Sequence, residues 1–187
     1  MAKIFARSIL LLSVVTTALS LFQHGIVSRD QQEIADSFTN IPQNINGIKD
    51  ALNTVDSHSG FSDLMTVHNT LVSTKQSFLV AIHYIRGASS FSATVEQAAR
   101  VSLDAAKEAV ATVLSDFSSK ANQLEEIYFG SVTEGCNYLK DFYVQFTTLA
   151  SSCERFDSEY RKELEAARDA ILSMLLDTIH SSTCAGK

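Results

Sequence analysis

The side chains best suited to chemistry in this chain are five histidines, three cysteines and several paired carboxylates. His24, His58, His68, His83 and His180 are scattered along the sequence. Only His68 and His83 fall on one predicted helix, and their spacing of 15 residues corresponds to ~22 Å of helix rise. Metal ligands sit about 2 Å from the ion, so that pair cannot share one. Glu125-Glu126 and the trio Glu159, Glu163 and Glu165 have the form of acid pairs for proton transfer. Glu159 and Glu163, however, stand among Arg161, Lys162 and Arg168, the pattern of a solvated and charge-balanced helix face. Cys136, Cys153 and Cys184 contain no C-x-x-C pair, which signals neither a thioredoxin-type site nor a zinc knuckle. G-x-S-x-G, H-E-x-x-H, a Gly-rich phosphate loop and an EF-hand loop are all missing. The expectation is a protein that is not an enzyme, with no catalytic residues, no metal and no cofactor.

The unusual side chain is phenylalanine, present 11 times. Phe142, Tyr143, Phe146, Phe156 and Tyr160 form an aromatic band toward the C-terminus. Two readings of that band stand side by side. It fills a core, or it forms the wall of an apolar pocket between helices where a lipid tail lies. A bundle of this kind also exposes its apolar seams when its helices part. That behaviour suits adsorption to wax, polyester or an air–water interface.

The elements that position these residues are helices. Ile34, Phe38, Ile41, Ile45, Ile48, Leu52 and Val55 alternate by four and three, and Val27 extends the series upstream. This spacing places them on one helical stripe. Pro42 lies inside it and predicts a kink, with two shorter helices as the alternative. Asp56-Ser57-His58-Ser59-Gly60 reads as a turn. A second helix is predicted over about 62–86, with Leu64, Leu71, Phe78 and Ile85 seven apart and Gly87 just past its end. A third, rich in alanine, is predicted over about 93–129 and stops at Gly130. Its stripe is Leu103, Ala106, Val110, Val113, Phe117, Leu124 and Tyr128.

Ser131-Val132-Thr133-Glu134 then matches a capping box. From Cys136 to Cys184 neither Gly nor Pro occurs. One straight helix of that length would span roughly 70 Å and strand its apolar stripe in water, so a reversal is expected between Ser151 and Ser158. A fold-back near Tyr160 brings Cys136 and Cys184 level, which predicts a Cys136–Cys184 bridge and leaves Cys153 a buried thiol.

Lys3, Arg7, the apolar run Ser8–Phe22 and Ala18-Leu19-Ser20 together read as a secretory signal over residues 1–20. Residues 21–187 then form a single helical-bundle domain of four to five long helices, an all-α fold. The full chain carries a charge of −6; without Lys3 and Arg7, 13 basic residues face 21 acidic ones, giving −8. An acidic chain with no basic tract excludes nucleic acid as a partner.

The N-terminal half resembles the fungal hydrophobic surface-binding protein A family, which includes cell-wall galactomannoproteins. The resemblance is carried by Arg29-Asp30, by Ile34, Phe38, Ile41, Ile45, Ile48 and Leu52, by the turn at Gly60, and by Leu64, Leu71, Leu79, Ala81 and Ile82. The alanine-rich helix through Val110, Leu114 and Lys120 continues it. It implies a secreted, cell-wall-associated protein without enzymatic activity. Such a protein would coat hydrophobic surfaces, assist an extracellular esterase there, or bind fatty acids within the bundle. The competing reading is a secreted effector or antigen that binds a host protein.

Overall fold

The structure, a computed structural model, describes residues 31–185. The predicted signal sequence, Val27 and the capping candidates Ser28 and Asp30 lie outside the described residues. Five α-helices and one short 3-10 turn account for nearly all of those described, and no strand occurs among them.

The first helix, α1 (31–53), buries its predicted stripe completely. Ile34, Phe38, Ile41, Ile45, Ile48 and Leu52 all face the core, and Val55 plugs its end. The helix runs through Pro42 without a break. Proline in a helix interior costs about 3 kcal/mol. Burying each large apolar side chain returns ~1.5–3 kcal/mol, so the stripe on both sides outweighs the one lost hydrogen bond. The turn that follows is built by Asp56. Its carboxylate accepts the His58 backbone N–H at 2.7 Å, and this bond holds its pKa below the ordinary carboxylate value.

The second helix, α2 (Phe61–Gly87), starts where the Asp63 carboxylate reaches back to the Gly60 N–H at 2.9 Å. Gly87 remains its last helical residue, and the chain leaves through extended Ala88 rather than through a left-handed glycine. Phe78, Ala81, Ile82 and Ile85 bury the C-terminal half, whereas Leu64 and Leu71 are only half-buried. Met65, Val72 and Leu79 are exposed.

The third helix, α3 (Ala93–Ile127), is capped by Ser92, whose Oγ accepts the Val95 N–H. It ends two residues earlier than predicted, because Tyr128 turns into extended backbone and Gly130 adopts a φ of +94°. That left-handed conformation suits glycine and aims the chain into the fourth helix, α4 (Ser131–Ser152). The predicted capping box is not formed. Gly130 is the N-cap, Ser131 is already helical, and Glu134 turns elsewhere. The amides at this corner are satisfied instead by Glu125 of α3. Its two carboxylate oxygens accept the Gly130 and Val132 N–H groups at 2.9 and 3.1 Å.

The expected reversal follows. Cys153–Arg155 makes a 3-10 turn, and the fifth helix, α5 (Ser158–Ile179), returns along α3 and α4. Arg155 locks this corner onto the end of α2 by donating to the Ile85 and Ala88 carbonyls. Glu96 of α3 accepts the Asp157 N–H at 3.0 Å and so holds the start of α5. Cys136 and Cys184 are joined by a disulfide with their Cα atoms 5.7 Å apart, and Cys153 is a buried free thiol. Burial raises the Cys153 pKa from its ordinary 9.0 to about 12, so the sulfur stays protonated.

Candidate functional site: an apolar cavity under α2

The core is not filled everywhere. A cavity of about 270 Å³ lies between the N-terminal half of α2 and the helices beneath it. α1 contributes Ile45, Ile48 and Leu52 to its wall, and α2 contributes Leu64, Leu71 and Phe78. α3 adds Val110, Val113, Phe117 and Leu124; α4 adds Leu139, Phe142 and Phe146; Leu175 of α5 closes the floor. At the deep end three rings meet, with Phe78 set edge-on to Phe146 at 4.6 Å and tilted against Phe142 at 6.0 Å. At the mouth stand Phe61 and Tyr128, 58% and 52% exposed, with ring centroids 5.9 Å apart. The volume lies near the lower end of the range for small-molecule sites. A space this size with such walls suits one alkyl chain.

The sequence explains why a gap persists here. α2 packs on α4, and two side-chain pairs join the two helices along one edge. Nδ1 of His68 meets Oε1 of Glu134 at 2.9 Å, and two turns further Lys75 pairs with Asp141. Below them Gly135 offers no Cβ, and the Phe117 ring occupies the place where one would stand. Leu64 and Leu71 of α2 border the space that remains.

Polar groups collect at one end of the wall. His68 lies 5.9 Å from Tyr138, the rings nearly perpendicular at 78°. Burial, followed by the nearby Glu134 carboxylate, raises the Tyr138 pKa and keeps its hydroxyl protonated. Thr74 is enclosed, and its hydroxyl is engaged with the Thr70 and Asn44 carbonyls. Ser131 is 7% exposed, and its Oγ has no hydrogen-bond partner. Since that hydroxyl is unpartnered, His68 does not activate it, and Ser131, His68 and Glu134 do not form a nucleophile relay. Among the described residues no group of histidine, cysteine and carboxylate side chains is placed to hold a metal. None of the described helices is long and apolar enough to cross a membrane.

Of the aromatic band singled out in the sequence, Phe142 and Phe146 stand on the cavity wall. Phe156 is buried elsewhere, its ring 6.2 Å from Phe38 and 4.5 Å from Phe91. Tyr143 and Tyr160 are partly buried against the core and do not border the cavity. Sequence reasoning missed His68, Ser131, Glu134 and Tyr138. Their helical positions were readable, but their convergence depends on α2 and α4 running side by side.

Fold and cavity together define a class: an all-α bundle with an apolar cavity open at one end. No protein family and no curated protein matches the chain. Among solved structures it is similar to AfMP4p in complex with palmitic acid, with a TM-score of 0.69 at 14% identity. The match covers 78% of this chain and 95% of the other. The likeness is one of fold.

Proposed function

We propose that this protein is a non-enzymatic carrier of single-chain lipids, which it holds in the cavity beneath α2. The observation that carries the reading is the cavity itself, whose wall is mostly aliphatic and aromatic with polar side chains at one end. The similarly folded AfMP4p was solved with a fatty acid bound, which supports the same use here. Within this reading the protein acts outside the cell. Its predicted leader and its disulfide suit an oxidising compartment. It also touches apolar surfaces, as the resemblance to the hydrophobic surface-binding family implies. Phe129 is 89% exposed and neighbours Tyr128 at the cavity mouth, so an apolar contact there would lie against the entrance.

The test is displacement of a neutral fluorescent probe, 1-N-phenylnaphthylamine, from delipidated protein by single-chain lipids. Leu71→Trp, which fills the cavity from α2, is expected to weaken both probe and lipid about tenfold or more, a change of ~1.4 kcal/mol. Its helical circular dichroism should be retained. Equal binding by wild type and a folded Leu71→Trp variant would remove the cavity from the account. Absence of probe binding to the wild type would remove lipid carriage altogether.

A further inference from the structure

We infer that the cavity selects lipids whose polar end is uncharged, such as an alcohol, an ester or a protonated acid, and that Ser131 and Glu134 make the choice. The inference rests on the lipid-carrying reading and adds to it the chemistry of the headgroup.

Ser131 is the receiving group. Its hydroxyl is buried on the cavity wall with nothing to bond to. Buried polar groups are rarely left so, and each one calls for an explanation. A ligand oxygen at this end of the cavity supplies the missing partner, because a hydroxyl both donates and accepts.

The surroundings decide the charge of that ligand. The start of a helix ordinarily welcomes an anion through its free N–H groups. Here the amides on either side of Ser131, those of Gly130 and Val132, are already bonded to the Glu125 carboxylate. Glu134 follows one turn along α4 on the same face and also borders the cavity. Of the two carboxylates around Ser131, Glu134 borders the cavity, while Glu125 is engaged at the corner behind it. Among the described residues no lysine or arginine lines the cavity. Two lysines of the surrounding helices are engaged elsewhere: Lys75 of α2 with Asp141 of α4, and Lys120 of α3 with the Val55 carbonyl. Asp63 of α2 is turned to the Gly60 amide. Of the remaining groups at this end, His68 is held by Glu134, and Tyr138 presents a protonated hydroxyl. A carboxylate placed here would meet the Glu134 carboxylate, find the Gly130 and Val132 amides taken and find no lysine or arginine among the described lining residues. An alcohol would meet Ser131 and Tyr138 with no such conflict.

The experiment compares dodecanol with lauric acid as displacers of 1-N-phenylnaphthylamine from the full chain. At about pH 8 the fatty acid is ionised, and dodecanol is expected to compete at least ~10-fold better. At about pH 4 the acid is largely neutral and should close most of that gap. Ser131→Ala should weaken dodecanol by about 5- to 10-fold, the worth of one hydrogen bond, and dodecane, which has no polar end, by much less. Glu134→Gln should strengthen laurate relative to dodecanol at the higher pH. Laurate that competes as well as dodecanol at the higher pH would overturn the inference, as would a Ser131→Ala variant with unaltered dodecanol affinity. If all chains bind alike whatever their headgroup, lipid carriage stands and selection falls. If the probe does not bind at all, both fall.

Discussion

A Cβ on Gly135 would stand 2.5 Å from Cε2 and 2.8 Å from Cζ of Phe117, both too close. Gly135→Ala therefore forces the ring to move, and the open direction is into the cavity that Phe117 already borders. Overpacking of this kind costs about 1–3 kcal/mol. Alanine in a helix interior recovers about 0.5–1 kcal/mol relative to glycine. The expected outcome is a stability loss of no more than ~2 kcal/mol in urea titration, together with a fall of about tenfold in lipid affinity. Stability and binding should part company, which a merely destabilising change would not produce. Neither role was legible beforehand. Phe117 reads in sequence as one more member of a core stripe, and no spacing rule places it against Gly135.

At the scale of elements, the helices themselves were legible. Seven-residue spacing identifies a buried face wherever the seam meets another helix, as Ile34 through Val55 show. The same spacing does not reveal what the seam faces. Leu64, Leu71, Phe78 and Ile85 share one register, yet the first three border a void and only Ile85 a filled core. The corner between α3 and α4 was misread for a related reason. Ser131 and Glu134 have the residue types of a capping box, but Glu125 reaches across the turn and takes the amides first. A carboxylate cap is worth about 0.5–2 kcal/mol. Glu125→Ala should cost about that much, and faster amide exchange should be confined to residues near 130–134. Glu125→Gln keeps one acceptor and should lose roughly half as much. Exchange that rises evenly over the whole chain would show that Glu125 serves the core rather than this corner.

For the molecule as a whole, the disulfide was readable because the chain had to reverse between Cys136 and Cys184; the bend falls at Cys153–Arg155 rather than near Tyr160, and Cys184 reaches Cys136 from the turn after α5. It ties the start of α4 to the segment after α5, closing a loop of 48 residues. On the chain-entropy account a loop of that length stabilises by about 4 kcal/mol, and measured values run ~2–5 kcal/mol. Cys136→Ala/Cys184→Ala should accordingly lower the melting temperature by roughly 10 °C for a chain of this size. The bridge is anchored on α4 one residue from Gly135 and five from Ser131, so it also steadies the cavity wall. The double variant should lose lipid affinity before it loses helicity on heating. Simultaneous loss of both would mean that the bridge holds the fold without favouring the cavity.

Cys153 turns the corner between α4 and α5 into a built-in reporter. Enclosed and protonated up to about 12, it ignores an alkylating reagent while the corner stays shut. Once the chain opens, the thiol ionises near its ordinary 9.0 and is captured. The sign follows from proton counts. Below about 9 both states hold the proton and stability does not depend on this group. Between about 9 and 12 only the closed state holds it, so stability declines as pH rises. A pulse of reagent on the native protein thus times its spontaneous openings, and a bound lipid should slow that clock in proportion to its occupancy.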